Sequence, residues 1–164
     1  MKSIFTIVVS FLLLYMPAAY AQVFDAFRGH LQDIKSRFSA HQRMEGQVLK
    51  RGSIDTNAKG QDLIHNSSGS WMLIRSGDQL YLQSGDDFRS SPGPDYHVYV
   101  SNSPAIKDGD EFGSSQIEVG RLVKPNGAAY YLLKANDAGG IRSVLIWCKQ
   151  FKEYIGSADL VVVK

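Results

Sequence analysis

Apolar residues in most of this chain come in short runs broken by turn-forming residues, the rhythm of β-strands. From Gln47 onward eight strands are predicted, over residues 47–51, 70–75, 79–83, 96–101, 117–123, 129–134, 143–148 and 158–163. Strong turn signals separate them: Arg75-Ser76-Gly77-Asp78, Ser91-Pro92-Gly93-Pro94, Lys107-Asp108-Gly109-Asp110, Pro125-Asn126-Gly127 and Asp137-Ala138-Gly139-Gly140. Parallel strands need crossovers of a dozen or more residues, which this spacing does not provide. The expected fold is therefore all-β, an antiparallel β-sandwich or partly closed barrel. In the run 143–148, Val144, Ile146 and Cys148 alternate with Leu145 and Trp147, so both faces are apolar. Such a strand belongs at the centre of a sheet, or under a cover on its outer side.

A different period precedes the strands. Phe24, Phe27, Leu31, Ile34 and Phe38 recur at spacings of three and four, predicting a short N-terminal amphipathic helix over residues 23–42. Two heptads fall short of a coiled coil, so the aromatic stripe is expected to pack on its own domain. Serine and glycine between residues 52 and 70 predict a flexible connection.

Residues 1–21 carry the pattern of a secretory signal peptide. Lys2 supplies the positive start, Ile4 to Met16 is uncharged and apolar, and Ala19-Tyr20-Ala21 has the small-x-small form of a cleavage site. No cysteine near the cut supports a lipoprotein anchor. The expected organisation is a signal peptide over 1–21, the amphipathic helix and a linker over 22–45, and the β domain over 46–164. Such a protein is secreted or periplasmic and keeps no membrane span after cleavage.

Charge narrows the range of partners. The full chain has 18 Lys+Arg and 16 Asp+Glu, and loss of Lys2 with the signal leaves it one positive charge from neutral. No basic stripe is present, which argues against a nucleic-acid partner. Gly-x-Ser-x-Gly and glycine-rich phosphate motifs are absent as well, leaving no hydrolase or nucleotide signature.

Cys148 is the only cysteine. An intramolecular disulfide is thus excluded, and the thiol is either inert packing or kept for chemistry. A thiolate is redox-active and a soft metal ligand, and Lys149 beside it carries a charge that favours this form. Against this, free cysteine commonly behaves as a small buried hydrophobe. Without a Cys-x-x-Cys-His motif a covalent c-type haem is excluded, while a non-covalent haem or a metal stays open. Its ligands would come from Cys148, His30, His41, His65, His97, Met44 or Met72. A Cys148–His97 dyad would make an enzyme if the fold brought the two together.

The remaining polar residues have ordinary explanations. Asp108, Asp110 and Glu111 lack the spacing of a calcium loop and are expected to form a solvated turn. Asp86, Asp87 and Asp95 are expected to bond nearby backbone amides, His97 to be a hydrogen-bonded strand histidine, and Trp71, Trp147, Tyr130, Tyr131 and Tyr154 to fill the core.

Five motifs occur in order: Gly85-Asp86-Asp87-Phe88; Pro92 to Val100; Gly120-Arg121-Leu122-Val123-Lys124 leading to Tyr130; Val144 to Phe151; and Gly156-Ser157-Ala158-Asp159-Leu160. Together they resemble the electron-transfer DM-thirteen domain family over about residues 66–164. Trp-Cys-x-x-Phe followed by Gly-x-Ala-x-Leu is the most specific part. The resemblance implies an extracellular or periplasmic β-sandwich whose cysteine takes part in redox or electron transfer, with haem as a candidate cofactor. It points to Cys148, with Trp147, Phe151 and Asp95 as neighbouring motif residues. The function it implies is a non-enzymatic electron-transfer module with a redox partner. The alternative is a structural or partner-binding module of the cell envelope in which Cys148 is inert.

Overall fold

Alternating inward and outward side chains arrange the described chain as strands, in a computed structural model that describes residues 46–134 and 138–164. The expected signal peptide and the amphipathic helix lie outside the described residues. The strands are β1 (Gln47–Ser53), β2 (Ser67–Ser68), β3 (Ser70–Ser76), β4 (Gln79–Ser84), β5 (Arg89–Ser90), β6 (Tyr96–Ser101), β7 (Gln116–Arg121), β8 (Tyr130–Leu133), β9 (Ser143–Cys148), β10 (Glu153–Asp159) and β11 (Val161–Val162). One sheet has the order β11-β1-β3-β4-β8 and a second β10-β9-β6-β7, while β2 and β5 form a separate two-stranded ladder. Every strand pairing is antiparallel. The sheets do not close into a barrel, which leaves the sandwich as the architecture.

The core lies between the two large sheets. Trp71, Leu73, Leu80, Leu82 and Tyr131 enter it from one sheet, and Tyr96, Val98, Val144, Ile146, Cys148 and Ile155 from the other. Phe88, fully buried, fills the end of this layer and meets Trp71 edge-on with ring centroids 5.2 Å apart. Lys50 is a buried exception whose Nζ donates to the carbonyls of Gly139 and Ile141, so its charge is met by two acceptors.

All six residues of β9 are buried. This strand lies between β10 and β6, as its two-sided apolar pattern predicts. Its outer face is covered by loops of the domain itself: Tyr99, Leu145, Trp147 and Tyr154 pack with Ala58, Ile106 and Phe112.

Three local expectations change. The last strand was expected over 158–163, yet β10 begins at Glu153, and the chain breaks at Leu160 before β11. Gly156 and Ser157 look like a break in the sequence, but a Cβ at Gly156 would come 2.1 Å from Ser67 Oγ, so close approach demands glycine inside the strand. The two-residue strands β2 and β5 are too short to leave a periodic signal. The segment expected to be a flexible connection is built into the sandwich: Ile54 and Ala58 are buried, and Asp55 N–H donates to the Ser157 carbonyl. Among the described residues, no helix is long and apolar enough to cross a membrane.

Candidate functional site

Cys148 is the last residue of β9, opposite Tyr96 on β6 and Glu153 on β10. Strand alternation turns it inward with Val144 and Ile146, where it is 1% exposed and unpaired with any other cysteine. The segment after Gly60 runs across this end of the sandwich. Gln61 Nε2 donates to the carbonyls of Ser67 and Ile155, and Ser67 Oγ donates to Ile155 O. Farther on, Asn66 N–H donates to Ser91 Oγ and the Ser91 N–H returns a bond to Asn66 O.

Tyr96 shares the inner face with Cys148. Its hydroxyl lies 3.2 Å from Ser91 Oγ and donates to Pro92 O at 3.4 Å. The ring rests on Gly93, where a Cβ would approach to 2.0 Å. Burial pushes the Tyr96 phenol up, the Ser91 hydrogen bond draws it down, and the charges of Cys148 and Asp62 push it up again. Beyond the hydroxyl opens a cleft of about 280 Å³, lined by Ser91 to Pro94 and Arg121 to Pro125.

The outer face of the same strand is aromatic and ionic. Trp147 stacks on Phe112 with centroids 4.3 Å apart. Opposite Trp147 sits His97, with Nδ1 2.6 Å from Glu118 Oε1 and Nε2 3.0 Å from Asp95 Oδ1. A neutral imidazole has one N–H, so both carboxylates receive a hydrogen bond together only when the ring carries both protons. Lys149 Nζ donates to Glu118 Oε2 at 3.1 Å. That bond holds the Glu118 carboxyl below its ordinary range; partial burial opposes it and His97 assists. Burial drives the Tyr99 phenol up to about 12, and the Glu118 charge adds to the effect.

The four residues singled out in the sequence thus divide. Cys148 faces inward; Trp147 faces outward; Phe151 is 57% exposed beyond the end of β9. Asp95 does not cap a backbone amide as expected: its carboxylate faces His97, and its carbonyl accepts the Lys149 N–H. Lys149 turns to Glu118 on the outer face instead of serving the thiol. His97 pairs with Trp147, not Cys148, which removes the Cys–His dyad. Tyr96 is the site residue whose role the sequence concealed, since nothing in its spacing from Cys148 reveals the register that pairs them.

The other candidate ligands are engaged elsewhere. His65 Nδ1 lies 3.0 Å from Asp62 Oδ2, and Met72 Sδ accepts from Arg51. Asp108 caps the 3-10 turn Gly109–Glu111 and pairs with Lys59, while Glu111 accepts the Lys107 N–H, in keeping with a turn. Asp87 Oδ1 accepts from the Ser70 backbone and hydroxyl, as a turn carboxylate does. No group of three or more metal-ligating His, Cys, Asp or Glu assembles among the described residues. His30, His41 and Met44 lie outside them.

The family model described as Electron transfer DM13 matches residues 58–160. The chain belongs to the Electron transfer DM13 family. The match includes the whole region from Ala58 through Cys148 to Leu160, so the DM13 domain begins before residue 66, where the motifs become legible. Within it, the segment 58–65 supplies Ala58 to the outer cluster and Gln61 to the end above Cys148. We find no match among curated proteins and none among solved structures.

Proposed function

We infer that this DM13 domain works outside the cytoplasm as a non-enzymatic electron-transfer module, with Cys148 as the residue that exchanges the electron. The observation that carries this reading is the position of the single thiol, held on the inner face of the central strand of an electron-transfer domain and directly opposite Tyr96. An external one-electron acceptor withdraws an electron from Cys148 as its S–H proton leaves. A one-electron donor returns the electron and the proton rebinds. Burial keeps the sulfur from forming mixed disulfides, which need direct access, and favours electron exchange through the protein. The released proton passes to solvent and returns from it on reduction, because the Tyr96 phenol, which burial keeps protonated, cannot accept it. The signal-like residues 1–21 support a secreted or periplasmic location.

The test is a redox titration of the purified protein with small outer-sphere metal complexes, followed by mass spectrometry and a thiol count in the folded state. One-electron oxidation confined to Cys148, and absent in Cys148→Ala, is the expected result. Unchanged behaviour of Cys148→Ala would remove the electron from this residue. The 1% exposure of Cys148 favours a second reading, in which the thiol is packing alone and the domain recruits an envelope protein. In that case folded protein shows no redox response and Cys148→Ala retains all partner binding.

A further inference from the structure

The sandwich is closed along one side and open along the other. On the closed side the chain passes from β10 in one sheet to β11 in the other with only Leu160 between them. On the open side the edge strands β7 and β8 belong to different sheets and do not pair with each other. A register shift opposite Val98 and Tyr99 makes Val119 a bulge that bends β7, and β8 is four residues long. Between the two strands a slot of about 580 Å³ enters the layer between the sheets. Its walls come from both: Val100 and Val119 from one sheet, Leu133 from the other, and Ile141 from the loop before β9. All four belong to the main core or pack against it, so the slot is continuous with the apolar interior. At the rim Ile117 is 65% and Leu132 54% exposed, two large apolar side chains that converge on one opening.

Hydrogen-bond donors complete the rim: Asn102, Ser114, Ser115 and Lys134. The side chains of Ser114, Ser115 and Lys134 have no hydrogen-bond or ion-pair partner among the described residues. Glu118 also lines the slot, but its carboxylate is engaged on the outer face of β7, where Lys149 Nζ donates to Oε2 and His97 Nδ1 lies 2.6 Å from Oε1. We propose that the slot binds an acyl chain, with the hydrocarbon against Val100, Val119, Leu133 and Ile141 and a carboxylate or ester head accepting from the donors at the rim. The volume falls within the range of about 300–1,000 Å³ in which apolar pockets hold small ligands. A strand from a partner protein would pair with the backbone at the outer edge of β7 or β8, and would not occupy a gap walled by the inner faces of both sheets. An acyl chain has polar atoms at one end alone, which matches apolar walls and a donor-bearing mouth. Val100 pairs with Val144, four residues before Cys148 on the same face and so about 13 Å from it. The site therefore goes beyond electron transfer and does not require it.

The experiment is isothermal titration calorimetry of the full chain with decanoate and with monodecanoyl glycerol, each kept below the concentration at which it forms micelles. Wild type binds one molecule per chain. Octanoate, shorter by two methylenes, binds about tenfold weaker or more than decanoate, as burial of the chain requires. Ile117→Ser with Leu132→Ser lowers the affinity for both ligands by about tenfold. Both positions are exposed, so the fold is retained, which urea unfolding checks. Val161→Ser with Val162→Ser, on β11 at the opposite edge of the same sheet as β8, changes neither affinity, and nor does Cys148→Ala. Tighter binding of decanoate than of the ester, with about a threefold loss for decanoate alone in Lys134→Gln, identifies the free acid as the ligand. Equal binding of the two, with Lys134→Gln without effect, identifies the neutral ester. Absence of saturable wild-type binding, equal affinity for octanoate and decanoate, or unchanged affinity in the Ile117/Leu132 variant overturns the proposal.

Discussion

The two faces of β9 sit one residue apart in sequence and belong to different chemical worlds. Inward, Cys148 faces hydrocarbon and one tyrosine; outward, Trp147 lies in an aromatic layer beside the His97, Asp95, Glu118 and Lys149 ion network. Residues adjacent in sequence are therefore poor guides to what touches the thiol. Lys149, next to Cys148 in sequence, is committed to a carboxylate on the other side of the sheet.

Substitutions on each face sharpen this contrast. The largest effect is expected from Trp147→Ala, which leaves a void beside Phe112 and costs about 3–5 kcal/mol of stability, measured by urea unfolding. Should it cost no more than an exposed substitution, the outer layer is not a second core. Gly93→Ala comes next: its methyl group collides with the Tyr96 ring, for about 1–3 kcal/mol, and redox titration of this variant would also register displacement of Tyr96. Cys148→Ala removes one buried heavy atom and is expected to cost about 1 kcal/mol. A gain in stability there would show that the thiol is held at a cost, which packing alone does not explain.

The smallest effect belongs to the ion network. Glu118 ordinarily titrates near 4.5 and is held lower in the folded state, chiefly by Lys149. A depressed carboxyl contributes stability that is present above the ordinary value and lost as pH falls through the folded one. Because the pair is partly exposed, Glu118→Gln is expected to cost a few tenths to about 1 kcal/mol at neutral pH. The difference from wild type should vanish once pH has fallen through the lowered folded-state value, as read in acid-unfolding curves. If it persists there, Glu118 acts through shape and not charge.

Much of the strand pattern could be read directly. Runs of apolar residues between turn signals placed β9 and β6 residue for residue, because alternation and turn chemistry are local properties. β10 was not legible, since Gly156 resembles a break until Ser67 is seen pressed against it. The same distinction governs the site. The choice of Cys148 followed from its being the only thiol, and its inward direction relative to Trp147 followed from a period of two.

The sequence by itself determined the all-β class, the two-sided character of β9 and the membership signals around Trp147 and Cys148. Only tertiary structure decided that Tyr96 faces the thiol, that His97 faces away from it, and that the segment before Ser67 crosses the end of the sandwich. These depend on strand register and on contacts between residues tens of positions apart, which local periodicity does not encode.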